Sequence, residues 1–155
     1  MSTFLLACCA SGVTAHSRSY NFVRVFPSNS KSAGFSAVSP DSTVLKSGDI
    51  KALFPFDNLV ISANARLPRD GALSAEVAVR IGKRWTNWYK LGIFRPGGAS
   101  QSIKGQSDEY GLVDVDLLKL KKQADAFRYC ITLKGKGAQL LLAAVSYSDG
   151  DDGYD

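Results

Sequence analysis

Between residues 19 and 148 apolar side chains recur at every second position in short stretches, and clusters of Gly, Pro, Asn, Asp and Ser interrupt them about every ten residues. Period two is the repeat of a strand with one face in a core and the other in water, so the pattern predicts an all-β chain. Residues 73–81 carry it most cleanly. There Leu73, Ala75, Val77, Val79 and Ile81 fall on one face, and Ser74, Glu76, Ala78 and Arg80 on the other. Residues 113–117 repeat it, with Val113, Val115 and Leu117 inward and Asp114 and Asp116 outward. Phe127, Tyr129, Ile131 and Leu133 alternate with Arg128, Cys130 and Thr132, and residues 139–148 form a nearly continuous apolar run. Fainter alternation over 20–26, 34–38, 56–65, 85–91 and 100–104 predicts further strands. PRDG at 68–71 and KGKG at 134–137 read as tight reversals, RPGG at 95–98 as a looser corner. Only LLKLKKQADA, residues 117–126, combines good helix formers with no breaker, which predicts one short helical turn.

These elements assemble into a two-sheet antiparallel β-sandwich, jelly-roll-like, over residues 19–148. Val77, Val79, Ile81, Val115, Leu117, Tyr129, Ile131, Leu141 and Val145 are its expected inner face. Residues 1–18 read as a disordered or export-related N-terminus, and 149–155, with four aspartates, as an acidic tail or linker.

Composition narrows the chemistry. With 155 residues, 45% of them apolar, the chain makes one domain whose core needs no cofactor, metal or disulfide to hold it. A net charge of +5 is less than a protein neutralising many phosphates would carry, so no nucleic-acid partner is expected. That charge is unevenly spread. Residues 51–100 carry eight basic and three acidic groups, residues 101–155 seven and nine. Arg80, Lys83, Arg84, Lys90 and Arg95 form a basic stretch, which reads either as a solvated sheet face or as an attraction for an anionic polymer. No apolar run approaches the roughly 18 residues of a bilayer span. The opening MSTFLLACCASG has a short apolar run followed by small residues, the remains of an export signal, a loose lipoprotein box at LLAC, or a plain disordered or strand-leading N-terminus. An extracellular or cell-envelope location is expected on that basis.

Catalytic constellations are scarce. There is no glycine-rich phosphate loop, HExxH, paired CxxC or GxSxG, and His16 is the one histidine available as a base. Cys8 and Cys9 are adjacent and Cys130 stands alone on a strand, where a half-buried structural thiol is expected rather than a nucleophile. The richest acidic group is Asp108, Glu109, Asp114 and Asp116, which is either a solvated face or, with nearby loop carbonyls, a calcium site. In WTNWY a straight strand puts Trp85 and Tyr89 on one face and Trp88 on the other. Such rings either plug the core or, beside Arg84 and Lys90, form a stacking platform for a sugar.

The order of four phrases adds a family reading. FDNLVISANARLP, AEVAVRIGKRWTNWYKLGIF, IKGQSDEYGLVDVDLLKLKKQADAFRYCITL and LLLAAVSYSD, within a likeness that covers roughly 54–149, resemble the N-terminal β-sandwich module that precedes the catalytic domain in bacterial secreted C39-like cysteine peptidases. The family's tryptophan ahead of the NA in its SWNA phrase is Ala63 here. The resemblance implies a non-catalytic accessory domain beside a downstream peptidase domain, serving cell-envelope or substrate targeting; the outward aromatics and flanking basic groups, Trp85, Trp88, Tyr89, Arg84 and Lys90, are then the expected ligand-binding residues for a cell-wall glycan. A protein-interaction or spacer module and a hydrolase are the alternatives.

Overall fold

The computed structural model describes residues 18–25, 35–39, 41–96, 98, 103 and 105–150. They form eleven strands: β1 (Ser19–Val25), β2 (Phe35–Ser39), β3 (Ser42–Lys46), β4 (Ile50–Arg66), β5 (Ala72–Ile81), β6 (Arg84–Trp85), β7 (Tyr89–Phe94), β8 (Gln106–Ser107), β9 (Gly111–Asp114), β10 (Leu117–Lys134) and β11 (Gln139–Ser148). Every pairing is antiparallel. Among the described residues no helix is long and apolar enough to cross a membrane.

The sandwich is a continuous sheet folded over itself, and the fold is made by β4 and β10. The first part of β10 pairs with Val60 to Asn58 of β4 and with β9, while its last part pairs with β3 and β5. One layer is therefore β1, β11, β4, the start of β10, β9 and β8. The other is β2, β3, the end of β10, β5, β6 and β7. At the corner the β4–β10 register slips between Lys119 and Ala124, and Lys121, Lys122 and Gln123 bulge into solvent. Both long strands change which parity faces the core as they turn. In β4 the buried set runs Ala52, Phe56, then Leu59 and Ile61; in β10 it runs Leu118 and Ala124, then Phe127, Tyr129, Ile131 and Leu133.

Aromatic rings fill the space between the layers. Tyr147 of β11 lies 5.1 Å from Phe56 and 5.7 Å from Phe127, and Phe22 of β1 meets Phe127 at 5.9 Å edge-on. These separations are within the range of favourable aromatic pairs. The Leu53 N–H, at the bend of β4, donates to the Tyr147 hydroxyl at 3.0 Å.

Several expectations are corrected. The helical turn over 117–126 is strand, because pairing on both sides outweighs the small propensity of a ten-residue segment. Val115 is not inward. It and Asp116 form the two-residue turn between β9 and β10, with Val115 at φ 63° and 42% exposed, so Leu117 falls on the outer face and Leu118 on the inner. A register slip between Leu140 and Leu142 leaves Leu141 half-buried and hands the inner positions to Leu140, Ala143, Val145 and Tyr147. Ile81, at the end of β5, is half-buried. Val77, Val79, Tyr129, Ile131 and Val145 are buried as expected. The strand β3 lies in a segment where no strand was expected.

The PRDG and KGKG reversals are turns between β4 and β5 and between β10 and β11, with Gly71 N–H bonded to Pro68 O and Ala138 N–H to Gly135 O. Asp149, placed by sequence in the tail, belongs to the fold. Its carboxylate accepts from the Arg18 backbone N–H and from Arg18 Nε, each at 2.6 Å, and ties the start of β1 to the end of β11. His16, Cys8, Cys9, the rest of the N-terminal stretch, residues 151–155 and most of the strand expected over 100–104 lie outside the described residues.

Candidate functional site

The outward face of the second layer gathers most of the residues singled out from sequence. Register sets out its rows. Lys51, Ala126, Arg80 and Trp85 lie side by side across β4, β10, β5 and β6. Lys46, Cys130, Glu76 and Lys90 make a parallel row across β3, β10, β5 and β7, and Arg128 beside Ala78 stands between the two rows. Positions 126, 128 and 130 have the same parity, opposite to core residues Phe127 and Tyr129, so all of these side chains leave one face.

Both tryptophans join this face because the strand expected over 85–91 is broken. From Trp85 opposite Arg80 to Tyr89 opposite Val77, one edge has an extra residue, a β-bulge that turns Trp85 and Trp88 to the same side. Thr86 anchors the bulge. Its N–H donates to Val79 O at 2.9 Å, its Oγ1 accepts from Val79 N–H at 3.1 Å, and its hydroxyl donates to Asn87 O. The buried hydroxyl is thereby satisfied.

Arg128 lies between the two indoles, its guanidinium carbon 4.5 Å from the Trp85 centroid and 5.1 Å from that of Trp88. Arg80 approaches Trp85 at 6.0 Å and pairs in a fork with Asp125, Nε to Oδ1 at 2.8 Å and Nη2 to Oδ2 at 3.0 Å. That fork holds the Asp125 carboxyl below the usual carboxylate range. Ala78 and Ala126 point outward yet are 0% and 1% exposed and stand apart from the inner core, so small side chains here form a floor beneath the ring and guanidinium stack. Arg128 Nε is buried with no hydrogen-bond acceptor. The sequence reading missed Arg80, Arg128 and Asp125 as members of this group; the outward parity of the arginines was visible, but the register that aligns them with the tryptophans was not.

The remaining candidates divide. Arg84 and Lys90 are exposed at the edge of this face. Tyr89, at 2% exposure, is in the core and cannot stack a ligand; its hydroxyl donates to Asp108 Oδ1 at 2.6 Å. Burial and that bond push the Tyr89 hydroxyl well above its ordinary range. Asp108 Oδ1 also accepts from the N–H groups of Tyr110 and Gly111, at 2.8 and 3.0 Å. Burial alone would raise the Asp108 carboxyl, but these donors and the neighbouring Lys121 outweigh it and hold it below the usual range.

Gln106 bonds both the N–H and the carbonyl of Lys90, extending the ladder of β7 with a side chain. Gln106 and Asp108 of the GQSDEYG phrase thus lock one loop against β7. Asp114 faces Lys119 at 3.5 Å, and Asp116 sits in the exposed β9–β10 turn. Glu109 is exposed. Among the described residues no three His, Cys, Asp or Glu side chains converge to hold a metal ion, so the acidic cluster is not gathered at one point. Cys130 is 5% exposed, and burial together with Glu76 raises its thiol above the ordinary value, which keeps it protonated rather than nucleophilic.

Residues 27–147 match the family model for the peptidase C39 N-terminal domain. That span takes in β2 and β3, ahead of the phrases that carry the resemblance, and runs to Tyr147 of β11; β1 and Asp149 fall outside it. No curated protein and no solved structure matches the chain.

Proposed function

Because the chain belongs to the family of C39 peptidase N-terminal domains, which is not the family's catalytic domain, we propose that it is a non-catalytic accessory module that holds an exported peptidase at the bacterial cell wall by binding glycan on the Trp85–Arg128–Trp88 face. One observation carries the reading: a bulge turns two indoles to the same outward side of a sheet, over a floor of alanines and among exposed cations. Rigid rings of this kind offer a sugar contact area at small entropic cost, and neighbouring guanidinium and ammonium groups supply donors.

Nothing among the described residues supports the hydrolase alternative. Its best candidate, Cys130, has a raised thiol and Glu76 and Lys46, not a histidine, as its charged neighbours. Sedimentation with insoluble peptidoglycan tests the proposal. The domain is expected to pellet with the wall material in excess of an inert insoluble polysaccharide, and Trp88→Ala to lose about tenfold or more in affinity, as befits a stacking contact of roughly 1.4 kcal/mol. Equal sedimentation with both materials overturns it. Turnover of casein that disappears in Cys130→Ala would overturn the non-catalytic assignment.

A further inference from the structure

The cations of the proposed binding face carry a consequence for the chemistry of its ligand. Lys46, Lys51, Arg84 and Lys90 are exposed, and none has a carboxylate within ion-pair distance among the described residues. Of the acids on this side, Asp125 is already engaged by Arg80, Asp49 adds a weaker attraction for the same arginine, and Glu76 stands between Lys46 and Lys90 without pairing to either. Arg128 is different in kind. Its charge is held between two indoles, its Nε is buried with no acceptor, and no acid among the described residues pairs with it. Stacking on the two indoles offsets part of the cost of this partly buried guanidinium, and a counter-charge from outside the protein would offset the rest.

Spacing makes the arrangement a track rather than a point. Neighbouring strands lie about 4.8 Å apart and same-face residues of one strand about 6.8 Å apart. Each row of four strands therefore spans about 14 Å, and the Lys51–Trp85 and Lys46–Lys90 rows run about 14 Å from one another, with Arg128 between them. A single small anion reaches one of these charges; an extended chain with repeated charges reaches several.

We propose that the ligand of this face is a linear anionic carbohydrate polymer, with phosphodiester or carboxylate groups meeting Lys46, Lys90 and Arg128 while its sugar or polyol units lie against Trp85 and Trp88. The inference rests on the glycan reading above and narrows it. The shared chemistry is an oxyanion repeated along a flexible polyol or sugar backbone.

Titration of the intact chain against three soluble probes separates the cases: a polyglycerol phosphate, a polyuronate, and an uncharged glucan, each at 50 and 200 mM salt. One or both anionic probes are expected to bind, and to lose about 20- to 100-fold in affinity over that range if three or four ion contacts form, by the counterion-release relation. Which of the two binds identifies the oxyanion. The double variant Lys46→Gln, Lys90→Gln, at exposed positions away from the core, is expected to weaken binding and lower the salt slope by about 2. Thermal melting of that variant alongside the parent confirms that the fold is kept.

Binding to the uncharged glucan with no salt dependence overturns this inference and leaves the glycan reading standing. Failure of all three probes, with peptidoglycan sedimentation intact, overturns the inference alone; failure of sedimentation as well overturns both. Equal affinity for single-stranded DNA overturns the carbohydrate assignment, because it would show a face that takes any polyanion.

Discussion

Asp108 is the residue on which the loop before β9 depends, since one carboxylate oxygen collects the Tyr89 hydroxyl and two backbone N–H groups. Replacing it with alanine orphans those donors and is expected to cost roughly 2–3 kcal/mol in chemical denaturation. Its pH dependence has a definite sign. A carboxyl held below its unfolded value stabilises fully above the ordinary range near about 3.9 and loses that contribution as pH falls through the folded value. Melting curves of the parent and Asp108→Asn should therefore differ most near neutrality and converge below about pH 4; a constant gap down to pH 2 would contradict this. Val115 is the opposite case, a β-branched side chain at φ 63° that is largely exposed. Asparagine tolerates that conformation better, so Val115→Asn is expected to raise stability by about 0.5–1 kcal/mol, read as a higher denaturation midpoint. Ile131→Ala, at a fully buried position, should cost roughly 2–5 kcal/mol instead.

Among the elements, β10 shows what alternation along a chain can and cannot reveal. Residues 127–133 announce themselves because a single face is buried, and β5 does so for the same reason. The first part of β10 is silent. Leu118 and Ala124 are buried while Lys121, Lys122 and Gln123 bulge out, and a strand that changes parity at a corner has no period-two signature. The same limit applies to WTNWY, where one extra residue turns Trp88 to the side of Trp85 and sends Tyr89 into the core. The residue types of the candidate site were therefore legible, but the bulge and the register that unite them with Arg80 and Arg128 depend on partners far away in sequence. Gly111 exposes how closely the corner is built. A Cβ there would stand 2.5 Å from the Lys119 carbonyl oxygen, at the end of the β9–β10 ladder where Gly111 faces Leu120. Gly111→Ala is expected to destabilise by about 1–3 kcal/mol, and hydrogen exchange should show the loss concentrated in β8 and β9.

At the scale of the whole molecule, the two outward faces differ in character. The second layer carries Lys46, Lys90, Arg80, Arg128 and the two tryptophans, whereas the first turns out Asn21, Ser146, Ser62 and Val60 across β1, β11 and β4. All-β class and much of the core followed from period and turn chemistry; this sidedness did not, because it is a property of strand order. The strand β1 is the outermost of its layer, joined to β11 alone, with Ser19 opposite Ser148 and Val25 opposite Leu142. Arg18 and Asp149 close that pair at the end where the described residues begin and end. Tension applied at residues 18 and 150 would thus meet the clip first and then the β1–β11 hydrogen bonds one after another, as in unzipping, never the whole ladder in parallel. The domain is expected to be mechanically soft along that line, with β1 lost from its layer at a modest pull.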